Sequence, residues 1–264
     1  MSTQALLAPP AVFQVPPPYD QFEAVSDLVA LAPEQLPHAA LLAVGVASPE
    51  ETWSDVASLV HQLRARFPAA PVILRAGRPG DEGDADLARR AAAVHARAVV
   101  FEGDPLRPTL RRALTDPTNL AEDISEWFTL RTPGVAPAVV ALVTEMIRLS
   151  PRFGEVSALL GSLGHAERTV RTWFRRAGVP GPGKWLAAAH ATRAALRMQA
   201  EPSAPLLALA VECGYSDHSS LSRQCLRLFG ARPGRIRGML GWEWLMDQWL
   251  KRTERRERTA KTEE

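Results

Sequence analysis

Residues 209–237 read LAVECGYSDHSSLSRQCLRLFGARPGRIR, and this stretch decides the fold of the second half of the chain. Leu209-Ala210 closes an apolar run that stops at Gly214-Tyr215. Gly214 can adopt the φ > 0 conformation that a helix C-terminus needs. Ser216 or Asp217 can then cap a second helix, which opens with small hydroxyl residues and carries Arg223 and Arg227 on its outer side. Two short helices joined by a turn containing Gly make a helix-turn-helix, whose second helix lies in the DNA major groove with its first residues against base edges.

The pattern L-A-x-x-x-G-Y-S-D, then S-x-x-S-R, then F-G-x-x-P-x-x-I-R carries a family resemblance. Its matching positions are Leu209, Ala210, Gly214, Tyr215, Ser216, Asp217, Ser219, Ser222, Arg223, Phe229, Gly230, Pro233, Ile236 and Arg237. It resembles the second helix-turn-helix of AraC/XylS-type transcription regulators. An ordinary helical hairpin with a serine-rich cap is the alternative, and so many matches in order disfavour it.

That resemblance implies a second unit upstream, and the sequence offers one. In Glu155 to Leu163, Val156, Leu159, Leu160 and Leu163 fall at i, i+3, i+4, i+7, the buried face of a short helix. Gly164 ends it. Ala166 to Ala177 then restarts with Val170, Trp173 and Phe174 expected inward and Arg168, Arg171, Thr172 and Arg175 outward. Between the units, Gly183 to Gln199 is rich in Ala and Leu, both strong helix formers. The resemblance implies a linker helix there that fixes the separation of two reading heads. Ala166 stands where the family has Ser, Thr172 where it often has Arg, and Cys225 where it has Phe. The resemblance spans roughly residues 138–238.

Charge is divided along the chain. Residues 1–137 hold 11 Arg and no Lys against 17 acids, residues 138–237 hold 13 Arg and one Lys against 6 acids, and residues 238–264 hold 6 of each sign. The surplus of +8 therefore falls on the segment with the helix-turn-helix pattern, as phosphate contact requires. Arg's planar fork suits both phosphate and guanine. By resemblance, Arg168, Arg171, Thr172, His218, Ser219, Ser222 and Arg223 contact bases. Arg175, Arg176 and Arg227, further along their helices, contact phosphates. Double-stranded DNA is the implied partner, with a homodimer through the N-terminal domain and a contact with RNA polymerase as further ones.

The only cysteines, Cys213 and Cys225, lack metal-ligand spacing and read as core thiols, with a redox pair as the alternative. No catalytic constellation stands out, so neither an enzyme nor a cofactor or metal is expected. There is no long apolar run and no basic region before an apolar N-terminal segment, which predicts a cytoplasmic protein.

Residues 1–20, with five prolines, predict an irregular or extended arm. Then strands alternate with helices: 39–46, 51–67, 71–75, 84–95, 98–101 and 106–114. Such alternation predicts an α/β domain with a short parallel sheet over residues 21–130. It faintly resembles the latter half of a response-regulator receiver. The strand ending Val44-Gly45-Val46-Ala47 has no acceptor Asp, Ala76 replaces the usual Ser/Thr, and Asp104 the usual Lys. Phosphorylation of the receiver kind is not expected. Gly77, Gly80 and Gly83 read as a solvated turn, since neighbouring acids would repel a phosphate. A linker is expected over 131–138, an all-α double helix-turn-helix domain over 139–240, and an amphipathic helix with a charged tail over 241–264. In that helix Trp242, Leu245, Met246 and Trp249 share one face. A ligand-sensing or enzymatic N-terminal domain tethered to a DNA-binding module is the competing reading.

Overall fold

The computed structural model describes residues 12–25, 41–46, 53–77, 81–117 and 119–262. The chain forms two compact units, one of residues 1–116 with 238–244 and one of residues 117–237 with 245–264.

The first unit contains β1 (Val12–Val15), β2 (Glu23–Ala24), β3 (Leu41–Val46), α1 (Trp53–Arg66), β4 (Val72–Ala76), α2 (Asp81–Ala93), β5 (Ala98–Phe101) and α3 (Leu106–Thr115). The sheet order is β2-β1-β3-β4-β5. β3, β4 and β5 are parallel neighbours, with Leu42 opposite Val72 and Ile73 opposite Ala98. This is the expected β-α-β alternation, because each crossover needs a helix to return the chain to the same edge.

Two expectations are corrected here. The sheet is mixed: β1 runs antiparallel to β3, pairing Val12 with Val44, and β2 runs antiparallel to β1. Within the proline-rich arm, expected to be irregular or extended, Val12–Val15 is extended and pairs as a strand. Gly83, expected in a turn, lies within α2. Residues 1–11, 39–40, 47 and Gly80 fall outside the described residues.

α1 buries Val56, Val60 and Leu63 completely, while Leu59 packs at the margin of the same core. Phe67, Val72, Leu74 and Leu87 complete that core. Residues 238–244 complete the unit from the far end of the sequence. The Leu240 N–H donates to the Tyr19 hydroxyl at 3.0 Å. Arg97 pairs with the buried Glu243 at 2.9 Å and lies 5.6 Å from the centre of the Trp242 ring. Burial pushes the Tyr19 hydroxyl pKa up to about 12.

The second unit is helical. It contains α4 (Leu120–Arg131), α5 (Pro137–Leu149), α6 (Val156–Ser162), α7 (Glu167–Arg176), α8 (Pro182–Ala200), α9 (Leu206–Glu212), α10 (His218–Phe229), α11 (Pro233–Arg237) and α12 (Glu243–Thr262), the last beginning two residues before the unit boundary. α4 groups with these helices. α8 is their core. Its alanines at 188, 189, 191, 194 and 195 are all buried, so neighbouring helices approach it closely on several sides. Trp185 on α8 meets Phe128 edge-on at 4.7 Å and Trp249 of α12 at 4.6 Å. Such aromatic pairs contribute about 0.5–1.5 kcal/mol each beyond area burial.

Polar side chains finish the ends of the packed helices. Arg193 donates to the carbonyl of Ile147 at 3.0 Å and to the Ser150 hydroxyl at 3.2 Å, so α8 satisfies the open C-terminus of α5. Asp247 on α12, 1 % exposed, pairs with Arg131 at 3.1 Å and Lys251 at 2.7 Å. The expected four-residue apolar face of the tail helix is buried throughout, yet it divides: Trp242 belongs to the first unit, and Leu245, Met246 and Trp249 to the second. Among the described residues, no helix is long and apolar enough to cross a membrane.

Candidate DNA-binding surface

Two helix pairs, α6–α7 and α9–α10, pack on α8. Each begins with a seven-residue helix, Val156–Ser162 or Leu206–Glu212, that buries two adjacent side chains: Leu159 and Leu160 in one, Leu209 and Ala210 in the other. Each then turns through a glycine with positive φ, +75° at Gly164 and +81° at Gly214. The Cβ of any other residue would be strained there. The residue after each glycine donates its N–H back into the first helix: His165 to the carbonyl of Leu160, Tyr215 to that of Ala210, both at 2.9 Å. This six-to-one closure is the Schellman arrangement.

The pairs differ at the start of the second helix. Asp217 caps α10, its carboxylate accepting from the Ser220 N–H at 2.8 Å. It also accepts from the hydroxyls of Ser216 and Ser220 at 3.0 and 3.1 Å. The Ser220 N–H and the two hydroxyls hold the charged form, lowering the Asp217 pKa to about 2. Of the two caps the sequence offered, Asp217 is the one used. α7 opens at Ala166, where the family has Ser, and has no side-chain cap. His165 meets Trp173 edge-on, 5.5 Å between ring centres.

Trp173 is a correction. Val170 and Phe174 are fully buried, but Trp173 is 41 % exposed. Successive helical positions lie about 100° apart. Trp173 therefore sits at the edge of the apolar stripe, where it is only partly covered.

The outward faces carry the residues singled out by sequence. On α7, Arg168, Arg171, Arg175 and Arg176 are exposed and Thr172 is half-buried. Arg168, Thr172 and Arg176 form one stripe at i, i+4, i+8, with Arg171 and Arg175 along its side. On α10, His218, Ser219, Arg223 and Arg227 are exposed and Ser222 is half-buried. Ser219, Arg223 and Arg227 share a stripe, whereas His218 and Ser222 lie a third of a turn to one side. Thr169, exposed in the first turn of α7, belongs beside this group and was missed. Its spacing of three from Thr172 and seven from Arg176 was the available signal.

Hydrogen bonding sets what these groups can offer. Thr172 donates to the carbonyl of Arg168 at 3.0 Å, and Ser222 to that of His218 at 2.7 Å. Each hydroxyl thus spends its proton on its own helix and presents acceptor lone pairs outward. Arg171 is held by Glu167 one turn back, Nε to Oε1 at 2.8 Å. Arg223 donates to the Ser220 hydroxyl at 3.2 Å and Arg227 to the Gln224 side chain at 2.6 Å, both neutral partners. Among the described residues, Arg168, Arg175 and Arg176 have no carboxylate partner. By contrast Arg197 is neutralised by Glu201 and Glu212 at 2.6 and 2.7 Å, and Arg148 by Glu122 and Glu145. The motif residue Arg237 is structural, donating to the carbonyls of Pro202 and Ala204 and so pinning the loop before α9.

Both cysteines are free; Cys225 is buried and Cys213 half-buried. Burial pushes the Cys225 thiol up to about 12, and it also raises that of Cys213. That suits packing thiols more than reactive ones.

Residues 159–239 match the family model described as a helix-turn-helix domain. This part of the chain is an AraC-type helix-turn-helix domain, and the protein is a DNA-binding transcription regulator. No curated protein and no solved structure was found to match the chain.

Proposed function

We propose that the chain reads DNA sequence with two heads, α7 in one major-groove segment and α10 in the next. The observation that carries this reading is the repeated construction: two helix pairs, each with a seven-residue first helix and the same glycine turn, and each with an Arg-bearing second helix facing outward. α8, 19 residues long and thus about 28 Å, buried in the core between them, serves as a rigid spacer. That length approaches the roughly 34 Å between major-groove segments one turn apart.

In this reading Arg168, Arg171, Thr172 and Thr169 face bases in one half-site, and His218, Ser219, Ser222 and Arg223 in the other. The guanidinium groups grip guanine O6 and N7, and the hydroxyls of Thr172 and Ser222 accept from cytosine or adenine amino groups. Arg175, Arg176 and Arg227 hold phosphates. The first unit serves dimerisation or signal sensing. Its three parallel strands agree with a degenerate receiver-like fold that lacks the phosphate acceptor, and a contact with RNA polymerase is the route by which binding acts on transcription.

The test is competition binding of the full chain. A duplex enriched by selection should compete at least about 10³-fold better than an unrelated duplex at the same salt concentration. Equal competition by both would establish a binder without sequence preference and overturn the reading.

A further inference from the structure

The second unit contains a cleft of about 290 Å³ that the DNA-reading surface does not use. Four parts of the helical unit wall it: Gly154 and Val156 at the entry to α6, the first half of α8 from Gly183 to His190, the turn Cys213-Gly214-Tyr215, and Gln224 of α10, whose side-chain carbonyl already accepts from Arg227. Its volume is at the lower end of the range for small-molecule sites, about 300–1,000 Å³.

Three of its lining residues are glycines, Gly154, Gly183 and Gly214, and the space beside each is open: a Cβ built there would meet nothing within 4 Å. No Asp, Glu, Lys or Arg lines it, and Arg227, which stands outside the lining, is held by the Gln224 side chain, so an ion entering would lose hydration without a counter-charge in direct contact.

Besides the Gln224 amide, two polar groups in the lining have unused capacity. His190 Nε2 lies 2.7 Å from the Ser150 carbonyl. A carbonyl can only accept, so Nε2 carries the proton and Nδ1 of the neutral ring is an acceptor. The Tyr215 hydroxyl makes no hydrogen bond among the described residues, although the ring is half-buried and burial raises its pKa.

We propose that this cleft binds a small uncharged molecule with a hydrogen-bond donor beside an acceptor, of the primary-amide kind. The donor goes to His190 Nδ1, the acceptor takes the Tyr215 O–H, and the apolar remainder lies against Val156, Leu186 and Ala187. Such a ligand touches the start of one helix pair and the turn of the other. On the two-headed reading it would therefore change how the heads are held. Binding itself is measured without DNA, so its failure is distinguishable from failure of that reading.

Benzamide is a suitable probe, with benzoate as its charged counterpart. Both are titrated into the full chain while backbone amide resonances are followed, up to about 10 mM, ten times the dissociation constant of about 1 mM reasonable for so small a ligand. The expected result is saturable shifts confined to residues around Gly183, His190 and Gly214 with benzamide, and none with benzoate. Ala187→Phe, which fills the cleft, should abolish them. Tyr215→Phe, which keeps the shape, should weaken binding about tenfold, as loss of one buried hydrogen bond does. If Ala187→Phe does not fold, Tyr215→Phe alone decides. Shifts scattered elsewhere, no shifts, equal response to benzoate, or unchanged affinity in the folded variants would overturn the proposal.

Discussion

Removing a single guanidinium tests whether the exposed arginines of α7 and α10 act on phosphate. Arg175 and Arg176 have no carboxylate partner among the described residues, and Arg227 has only the neutral Gln224 side chain. Each can therefore displace one condensed counterion from DNA. Each phosphate contact contributes about 0.9 to the slope of log K against log salt concentration. Between 50 and 200 mM salt, a change of about 0.6 log units, one contact then accounts for a factor of about 3.5 in affinity. Arg175→Ala, Arg176→Ala and Arg227→Ala should each lower the slope by about one, and the triple variant by nearly three. Arg197→Ala is the control, because Glu201 and Glu212 already neutralise that guanidinium and its loss frees no phosphate contact. Fluorescence anisotropy of a labelled duplex at several salt concentrations measures the slopes directly. An equal fall in the Arg197 variant, or no fall in the other three, would refute the argument. So would a change in preferred sequence, which would make these residues base readers.

Tyr19→Phe leaves the Leu240 N–H buried without its acceptor, and should cost about 1–3 kcal/mol in chemical denaturation of the first unit. The Tyr19 pKa is raised to about 12 by burial. The stability it contributes is full below its unfolded value near 10 and is lost as pH rises towards 12, a loss that Tyr19→Phe should remove. For Asp217 the sign is reversed, because the folded pKa is lowered to about 2. Its contribution is full above the unfolded value near 4 and is lost as pH falls towards 2. Asp217→Ala should fray the first turn of α10, seen as faster amide exchange at Ser219 and Ser220, with α7 unchanged. Lacking an acceptor Asp at the end of β3, the first unit should take no phosphoryl group from acetyl phosphate; intact-mass spectrometry of the treated protein would detect one on any Asp of residues 1–130.

The helix-turn-helix was legible because its determinants are local. Gly214 needs a positive φ, Asp217 caps within three residues, and Phe229 and Ile236 fall on buried faces set by helical period. Alternation of short apolar runs with helical periods likewise revealed β3, β4 and β5 and the helices between them. What sequence concealed depends on partners distant along the chain. Val12–Val15 becomes a strand only because β3 offers it an edge. The tail helix reads as one apolar face, yet Trp242 is claimed by Arg97 and Trp249 by Trp185. Trp173 has the spacing of a core residue, yet it is 41 % exposed, which depends on what packs beside α7 and which no local pattern records. In the candidate site, exposure of the arginines followed from period, whereas their neutral or acidic partners did not. Arg223 and Arg197 look alike in sequence and differ only in what folds beside them.

The two-headed reading is tested most directly by selecting preferred duplexes from a random library with the full chain, its Arg168→Ala variant and its Arg223→Ala variant. The account predicts a non-palindromic site per monomer, with two unlike half-sites about 10 base pairs apart on one face of the DNA. Arg168→Ala should relax preference in one half-site alone and Arg223→Ala in the other, each by about 1–3 kcal/mol at the affected base pair. Loss of preference at the same bases in both variants would contradict it.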